Sequence, residues 1–279
     1  MQHTHTHTTG GGFAVVYKGY WKRQKVALKT LFDPDYERVK REYMDELLVM
    51  SKLKHPNVVQ LLGACMKPPK LFFVMELCGM SLFQLLHLTD RDISIKTRLR
   101  YLIDTAAALK YLHSLSPKIV HRDIKSLNCL LHKESGGIKV CDFGLVSTRK
   151  KEAGTPAYMA PELLEDYMTY STPVDVYAFA MLCWETLCRK IPYEGLDAPS
   201  IRKHTLKSKR PEIPTLDFPE DCADLVRECW HPRAARRPDM KEVHRRMIKC
   251  KDNIRDVSSL KTLRQGDMDS LDSLFSNTN

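Results

Sequence analysis

The segment PVDVYAFAMLCWETLC, at positions 173–188, constrains the fold most strongly, because it is apolar on nearly every helical face. A helix with no polar face is expected in the middle of a lobe rather than on its surface. The chain can build such a lobe, since it has 279 residues of which 43% are hydrophobic. We find no internal repeat and expect either one large domain or two lobes.

The first half of the chain has mainly strand patterns and one long helix, whereas the second half is mostly helical. The strings FAVVYKGYW and QKVALKTL have strand composition and flank a short polar turn, which predicts a hairpin. A helix predicted over 35–53 has an apolar stripe at three- and four-residue steps, and Glu46 falls inside that stripe. A carboxylate in such a position needs a cationic partner. Two unequal lobes are therefore predicted.

The stretch IVHRDIKSLNCLL places polar residues between two short apolar runs, where a core would be expected. These polar residues are His121, Arg122, Asp123, Lys125 and Asn128. Two short strands, CLL and IKV, follow with the turn HKESGG between them, and the second strand leads into CDFG. This order brings Asp123, Asn128 and Asp142 to one rim, which we interpret as a functional site.

Composition argues against several other classes of protein. Nine cysteines without a CxxC pair, and no secretory signal, favour reduced thiols in a cytoplasmic protein, with the nucleus as the alternative. The most apolar window, 71–88, contains Glu76 and a turn at Cys78, so no membrane span is predicted. The formal charge of +10 indicates a basic surface. Much of it lies on a helix pattern in ARRPDMKEVHRRMIKCK whose basic residues are read as a solvated face, so no nucleic-acid partner is predicted.

Four motifs resemble those of the eukaryotic protein kinase family: VALK at 26–29, HRDIKSLN at 121–128, DFG at 142–144 and APE at 160–162. The ordered set is far more specific than any one of them. The resemblance covers about residues 9–250 and implies an α+β bilobal fold, with a small β-rich N-lobe carrying one long helix and a larger, mostly helical C-lobe. The boundaries it implies are an atypical segment 1–8 that replaces or truncates the first strand, an N-lobe over 9–76, a hinge over 76–79, a C-lobe over 80–250 and a flexible tail over 251–279.

The same resemblance implies transfer of the γ-phosphoryl group of ATP to a protein hydroxyl, which requires positioning and charge neutralisation. Asp123 is expected to orient the substrate hydroxyl and Lys125 to neutralise the moving phosphoryl group. Asn128 and Asp142 are expected to hold Mg²⁺, with Mn²⁺ as a possible substitute. The partners implied are ATP and a protein substrate with a serine or threonine acceptor.

Lys29 is expected to contact the inner phosphates and to pair with Glu46, which would supply the cation that the helical stripe requires. Val16, Ala27 and Leu130 are expected to sandwich the adenine. The remaining nucleotide-binding positions implied by the resemblance are Thr9, Gly10, Gly11, Gly12, Phe13, Ala14, Met75, Glu76 and Cys78. A structural spine through both lobes is implied at Met50, Leu61, His121 and Phe143.

The glycine-rich loop departs from the family pattern, because Thr9, Gly11 and Ala14 stand where three glycines are usual. Gly10 and Gly12 add backbone freedom, and Phe13 keeps the aromatic tip, so a turn over the phosphates is still expected. This departure leaves a pseudokinase that acts as a scaffold as an alternative. A metal site at the alternating histidines 3, 5 and 7 is a weaker alternative.

The subgroup is indicated by a mixture of features. Lys125 and the string GTPAYMAPE, which contains Thr155, resemble serine/threonine kinases, whereas DVYAFAMLCWE, IPYEG and CWHPRAARRPDMKEV resemble tyrosine kinases. This mixture is typical of the tyrosine-kinase-like group of serine/threonine kinases, with a true tyrosine kinase as the alternative.

Two regulatory features are also expected from the sequence. Arg122 precedes the catalytic aspartate, so phosphate on Ser147 or Thr148 is predicted to order the activation segment. The tail is expected to be a solvated extension, and the alternative is that Leu260, Leu263, Leu271 and Leu274 dock as a short amphipathic helix and engage a regulatory partner.

Overall fold

The computed structural model describes residues 2–9, 12–32, 36–67, 70–146, 154–165, 171–214 and 218–254. Side chains are described from residue 14 onward within these ranges, except at positions 32, 36 and 70. The phosphorylation predicted at Ser147 or Thr148 and the leucine motif of the tail lie outside the described residues.

The smaller lobe is built on a five-stranded antiparallel sheet with the strand order β1-β2-β3-β5-β4. Its strands are β1 Gln2–Thr9, β2 Gly12–Trp21, β3 Gln24–Phe32, β4 Leu61–Lys67 and β5 Lys70–Glu76. The predicted hairpin is confirmed as β2 and β3, joined by Lys22 and Arg23. Both turn residues have positive φ, of 48° and 65°, as the twist of a two-residue hairpin requires.

The polar N-terminal segment is a full strand. It pairs antiparallel with β2 from Gln2 opposite Lys18 to Thr9 opposite Gly12, with a register shift between His3 and His5. Threonine is β-branched and favours extended backbone, and an edge strand tolerates polar residues on both faces. The segment therefore takes the place of an apolar first strand and does not truncate the sheet.

One long helix, α1, spans Tyr36–Met50 and packs on this sheet. It is shorter than the predicted 35–53, but its apolar stripe is confirmed, since Val39, Tyr43 and Met50 are buried. The Tyr43 ring stacks on Phe73 at 4.5 Å, and its hydroxyl donates to the carbonyl of Cys65 at 3.0 Å. These contacts fix the rotation of α1 and turn Glu46 toward the interior.

The larger lobe is helical, with one small sheet that faces the hinge. Its elements are α2 Leu82–His87, α3 Ile95–Ser114, β6 Cys129–Leu131, β7 Ile138–Val140, α4 Pro161–Leu164, α5 Pro173–Cys188, α6 Ala198–Leu206, α7 Glu220–Cys229 and α8 Met240–Asp252. The prediction of a central buried helix is confirmed, because every residue of α5 from Val174 to Leu187 is buried. The apolar residues Met240, Val243, Met247 and Cys250 of α8 are likewise buried, and the helix ends two residues past position 250, where the resemblance placed the end of the C-lobe.

The hinge between the lobes is fastened to β6. The Gly79 N–H donates to the carbonyl of Leu131 at 2.7 Å, and the Leu131 N–H donates to Met80 at 2.9 Å. A Cβ atom at Gly79 would lie 3.1 Å from that carbonyl, so the close approach favours glycine. Within the described ranges, no helix is long and apolar enough to cross a membrane.

Candidate active site

A cleft of about 480 Å³ lies between the two lobes and contains most of the residues expected at the nucleotide site. The expected residues that line it are Val16, Ala27, Lys29, Glu46, Met75, Glu76, Cys78, Asn128, Leu130 and Asp142. Its walls are mainly apolar and its inner end is charged, which is the usual composition of a site for a small molecule with an apolar part and a charged part.

The glycine-rich positions are only partly visible. Thr9 and Gly12 pair with each other at the end of the β1–β2 hairpin, and Phe13 lies next along β2. Gly10 and Gly11 lie outside the described residues. Ala14 is fully buried and pairs with Leu31, and it does not line the cleft. The structure thus shows Thr9, Gly12 and Phe13 as strand residues and Ala14 as a packing residue.

Lys29 binds two carboxylates at the inner end of the cleft. Its Nζ lies 2.7 Å from Oε1 of Glu46 and 2.9 Å from Oδ1 of Asp142. Lys29 lies on β3 and Glu46 on α1, both in the smaller lobe. Asp142 lies two residues after β7 of the larger lobe. The cation that Glu46 requires is therefore Lys29, and the same ammonium joins the two lobes.

The three charges shift one another's pKa values. Burial opposes the charged form of Lys29, but the carboxylates of Asp142 and Glu46 hold its pKa above the ordinary value. Burial also disfavours the ionised form of Asp142, yet the Lys29 ammonium outweighs it and lowers the pKa to about 2. For Glu46 burial dominates over Lys29 and raises the pKa. Asp142 is thus the carboxylate that stays ionised and available to a cation.

A second polar cluster surrounds Asp123 at the cleft mouth. Lys125 Nζ lies 2.8 Å from Asp123 Oδ2 and donates to Thr155 Oγ1 at 2.8 Å. The Thr155 hydroxyl donates to Asp123 Oδ1 at 3.3 Å. A short 3-10 turn over Ser126–Asn128 folds the chain back, so the Asn128 amide donates to Asp123 Oδ2 at 2.9 Å. The steps of two and five residues from Asp123 to Lys125 and Asn128 therefore let both side chains reach the Asp123 carboxylate.

Asp175, fully buried at the start of α5, supports that loop from behind. Its carboxylate accepts the backbone N–H groups of His121 and Arg122, both at 2.8 Å, and contacts His113 Nε2 at 2.8 Å. Arg122 has a φ of 69° and Asp142 one of 66°, both in the left-handed region that costs energy for residues with a side chain. The Asp175 carboxylate offsets this strain at Arg122, whose N–H it binds, and holds the loop in place.

His121 has a structural position. Its ring lies 5.1 Å from the Phe143 ring, and its Nε2 contacts the carbonyl of Cys141 at 3.1 Å. The ring is fully buried, so it has no access to a substrate.

The Arg237 guanidinium binds Glu162 through two hydrogen bonds, of 2.6 Å and 2.8 Å, which tie α4 to the segment before α8.

The donor chemistry of the cleft fits a magnesium ion. Asn128 directs its Nδ2 to Asp123, which leaves its carbonyl oxygen for another ligand, and Lys29 binds Oδ1 of Asp142. Oxygen ligands suit Mg²⁺, which usually takes few protein ligands and completes its shell with water and phosphate. Among the residues that the structure describes, no three His, Cys, Asp or Glu side chains are grouped so that they could hold a metal ion.

A buried carboxylate that the sequence analysis did not single out links three parts of the larger lobe. Glu185, fully buried on α5, accepts from Ser126 Oγ at 2.6 Å and from the Tyr158 hydroxyl at 2.7 Å, and it contacts His87 Nε2 at 3.0 Å. The signal that could have found Glu185 is a charged residue inside the apolar segment 173–188, since such a group must be paired. Ser81 and Gln84, which also line the cleft, form a capping box that begins α2.

Comparison with known proteins identifies the family of the chain. The family model for protein tyrosine and serine/threonine kinases matches residues 3–247. A Dictyostelium discoideum protein named as a probable serine/threonine-protein kinase is 40% identical over 245 residues, which cover 84% of this chain and 26% of that protein. An Arabidopsis thaliana serine/threonine-protein kinase is 37% identical over 241 residues, which cover 82% of this chain and 29% of its own length.

The chain spans about a quarter of the length of these relatives. The match nevertheless extends over both lobes, from β1 to α8, and includes the cleft and the polar loop described above. The chain belongs to the family of protein tyrosine and serine/threonine kinases.

Proposed function

We propose that this chain transfers the γ-phosphoryl group of Mg²⁺-ATP to serine or threonine hydroxyls of protein substrates. The observation that carries the proposal is the ring formed by Asp123, Lys125 and Thr155 at the cleft mouth. It sets a carboxylate and an ammonium side by side, where an acceptor hydroxyl and a transferring phosphoryl group would meet. The names of the relatives support serine/threonine specificity.

In this proposal Asp123 accepts a hydrogen bond from the acceptor hydroxyl, orients its oxygen and takes its proton as the bond to phosphorus forms. Lys125 lies 2.8 Å from Asp123 and stabilises negative charge on the phosphoryl oxygens. Thr155 fixes the separation of these two side chains by hydrogen bonding to both.

Lys29 positions the inner phosphates, and Glu46 keeps its ammonium in place from the other side. Asn128 and Asp142 would hold the metal ion, which supplies charge neutralisation between the phosphates. The apolar walls at Val16, Ala27 and Leu130 suit a flat adenine ring, and the hinge over 76–79 offers backbone groups to its edge.

The kinase group and the cellular compartment are inferred from the sequence. The mixture of serine/threonine and tyrosine kinase motifs supports membership of the tyrosine-kinase-like group. A reducing compartment such as the cytoplasm is supported by the cysteines, all nine of which are free thiols. A pseudokinase scaffold is the second candidate because of the altered glycine loop, although Lys29, Glu46, Asp123 and Asp142 are all present.

The test uses purified full chain, Mg²⁺-ATP labelled at the γ position, and three peptides that differ only in a Ser, Thr or Tyr acceptor. We expect labelling of the Ser and Thr peptides, and a loss of about 10²–10⁴-fold in turnover for Asp123→Asn, since a positioned general base contributes that much. Asp252→Asn, at an exposed position near the end of α8, is the matched control.

Labelling of the Tyr peptide alone would replace the proposal with a tyrosine kinase. ATP binding without labelling of any peptide would favour the scaffold. Equal turnover by Asp123→Asn and the wild type would show that the ring at the cleft mouth is not the site of transfer.

A further inference from the structure

A second cavity, which we call the basal groove, lies in the larger lobe and shares no residue with the cleft. Its volume is about 730 Å³. It is bounded by the start of α3, the end of α5, the segment before α7 and the residue Ile254 that follows α8. Its apolar lining includes Ile95, Leu187, Cys188, Pro214, Phe218 and Ile254.

The apolar floor of the basal groove is incompletely covered. Leu187 and Phe218 are buried, but Ile95, Cys188 and Ile254 are each only half-buried. Covering apolar side chains that are partly exposed to water with an apolar segment lowers the free energy of the protein. The groove is therefore a candidate docking surface.

The C-terminal part of the chain starts at this groove. The helix α8 ends at Asp252, Ile254 forms part of the groove wall, and residues 255–279 continue from there. A tether that starts at the docking surface gives the segment behind it a high effective concentration. Twelve residues, 255–266, separate the wall from the segment 267–275, and an extended chain of that length reaches up to about 40 Å. The segment can thus turn back to the groove.

The composition of the segment 267–275, DMDSLDSLF, matches the groove. Met268, Leu271 and Leu274 recur at three-residue steps, and the segment has three aspartates and no lysine or arginine. The groove has the opposite charge. Arg98 lines it, and burial raises the pKa of the Cys188 thiol to about 11 while the nearby positive charges of Lys190 and Arg98 oppose that rise.

We propose that the segment 267–275 docks in the basal groove of its own chain, with its apolar residues on the groove floor and its carboxylates beside Arg98 and Lys190. This contact goes beyond phosphoryl transfer and does not depend on it, because the groove and the cleft are separate. It gives the C-terminal segment a defined binding site on the larger lobe.

The test uses Cys188 as a reporter of coverage. Full-length protein is treated with iodoacetamide at pH 8.5, and the alkylation rate at each cysteine is read by mass spectrometry of its peptide. The full chain is compared with its Leu271→Ser/Leu274→Ser variant, and with a Ser270→Ala/Ser273→Ala variant as the matched control. Cys65, another half-buried thiol that lies on β4, is the internal reference.

We expect Cys188 to react about tenfold more slowly in the wild type and in the serine control than in the leucine variant, which corresponds to about 1.4 kcal/mol of docking. Cys65 should react at one rate in all three. The protection should be the same at different protein concentrations, since the contact is within one chain.

Equal rates at Cys188 in all three proteins would overturn the proposal. Protection that grows with protein concentration would also overturn it, because the occupant would then be a second copy of the chain. A change in the Cys65 rate that parallels the Cys188 rate would assign the effect to general loosening of the fold, which the proposal does not allow.

Discussion

Single residues at the inner end of the cleft connect stability with the proposed phosphoryl transfer. Lys29 is shared by Glu46 and Asp142, and all three side chains are largely shielded from water. Breaking a buried ion pair by removing one partner is more costly than replacing both partners with apolar groups. This asymmetry allows the structural and chemical roles of Lys29 to be separated.

We predict that Lys29→Met lowers the free energy of unfolding by about 3–5 kcal/mol, because it leaves Glu46 buried without its cation. The double variant Lys29→Met/Glu46→Leu should regain part of that stability, because it removes the buried Glu46 carboxylate but still leaves Asp142 without Lys29. Both variants should lose about 10²-fold or more in turnover, as expected when an electrostatic contact to the phosphates is removed. Urea unfolding and peptide phosphorylation measured on the same preparations provide the check. Recovery of activity in the double variant would show that Lys29 has only a structural role.

Elements of the larger lobe meet at Glu185, which α5 places between the polar loop 121–128 and the segment 156–158. The Tyr158 hydroxyl is the donor to Oε2 of this carboxylate. Since that segment follows Thr155, we expect its position to affect how a peptide substrate sits beside Asp123.

We predict that Tyr158→Phe destabilises the protein by about 1–3 kcal/mol, because a buried acceptor loses its donor. It should raise the KM for peptide several-fold and leave the KM for ATP unchanged. Tyr177→Phe is the matched control, since Tyr177 is likewise a buried tyrosine, on α5, but its hydroxyl is not one of the three groups that bind Glu185. An equal rise of both KM values in Tyr158→Phe would contradict a positioning role for this contact.

How far the sequence predicts this molecule depends on the element. The α5 helix, the β2–β3 hairpin and the ordered motifs could be predicted because each follows from local pattern. The β1 strand is harder to predict, since the alternation of His and Thr has no apolar face. Its pairing with β2 is a long-range contact that the local pattern does not encode. Glu185 escaped prediction because its three partners are far apart in the sequence, at 59, 27 and 98 residues.

At the scale of the whole molecule, the two lobes meet across the cleft through Lys29 and Asp142. They are also joined by the hinge and by hydrogen bonds from the segment 54–59 to Tyr111, Ile138 and Val140 of the larger lobe. A ligand that binds both lobes should therefore stabilise the whole fold. The gain follows from binding linkage and does not require any rearrangement.

We predict that Mg²⁺-ATP at 100 times its Kd stabilises the protein by about 2.7 kcal/mol. For a domain of this size the corresponding rise in Tm is about 5–10 °C. Chelation of the metal with EDTA, or Asp142→Asn, should remove most of this rise, whereas Asp252→Asn should keep it. Differential scanning fluorimetry measures the shift. A full shift in the Asp142→Asn protein with Mg²⁺-ATP would show that Asp142 does not bind the metal.

The buried α5 helix has a consequence for heritable variation in this protein. Its two acids, Asp175 and Glu185, support the polar loop 121–128, while every neighbouring side chain from Val174 to Leu187 is enclosed by the core. A substitution there perturbs packing and this loop together, so few changes in this segment are neutral. Lineages that diverge in substrate or partner are therefore expected to differ at the lobe surface and in the tail, and to keep this helix nearly unchanged.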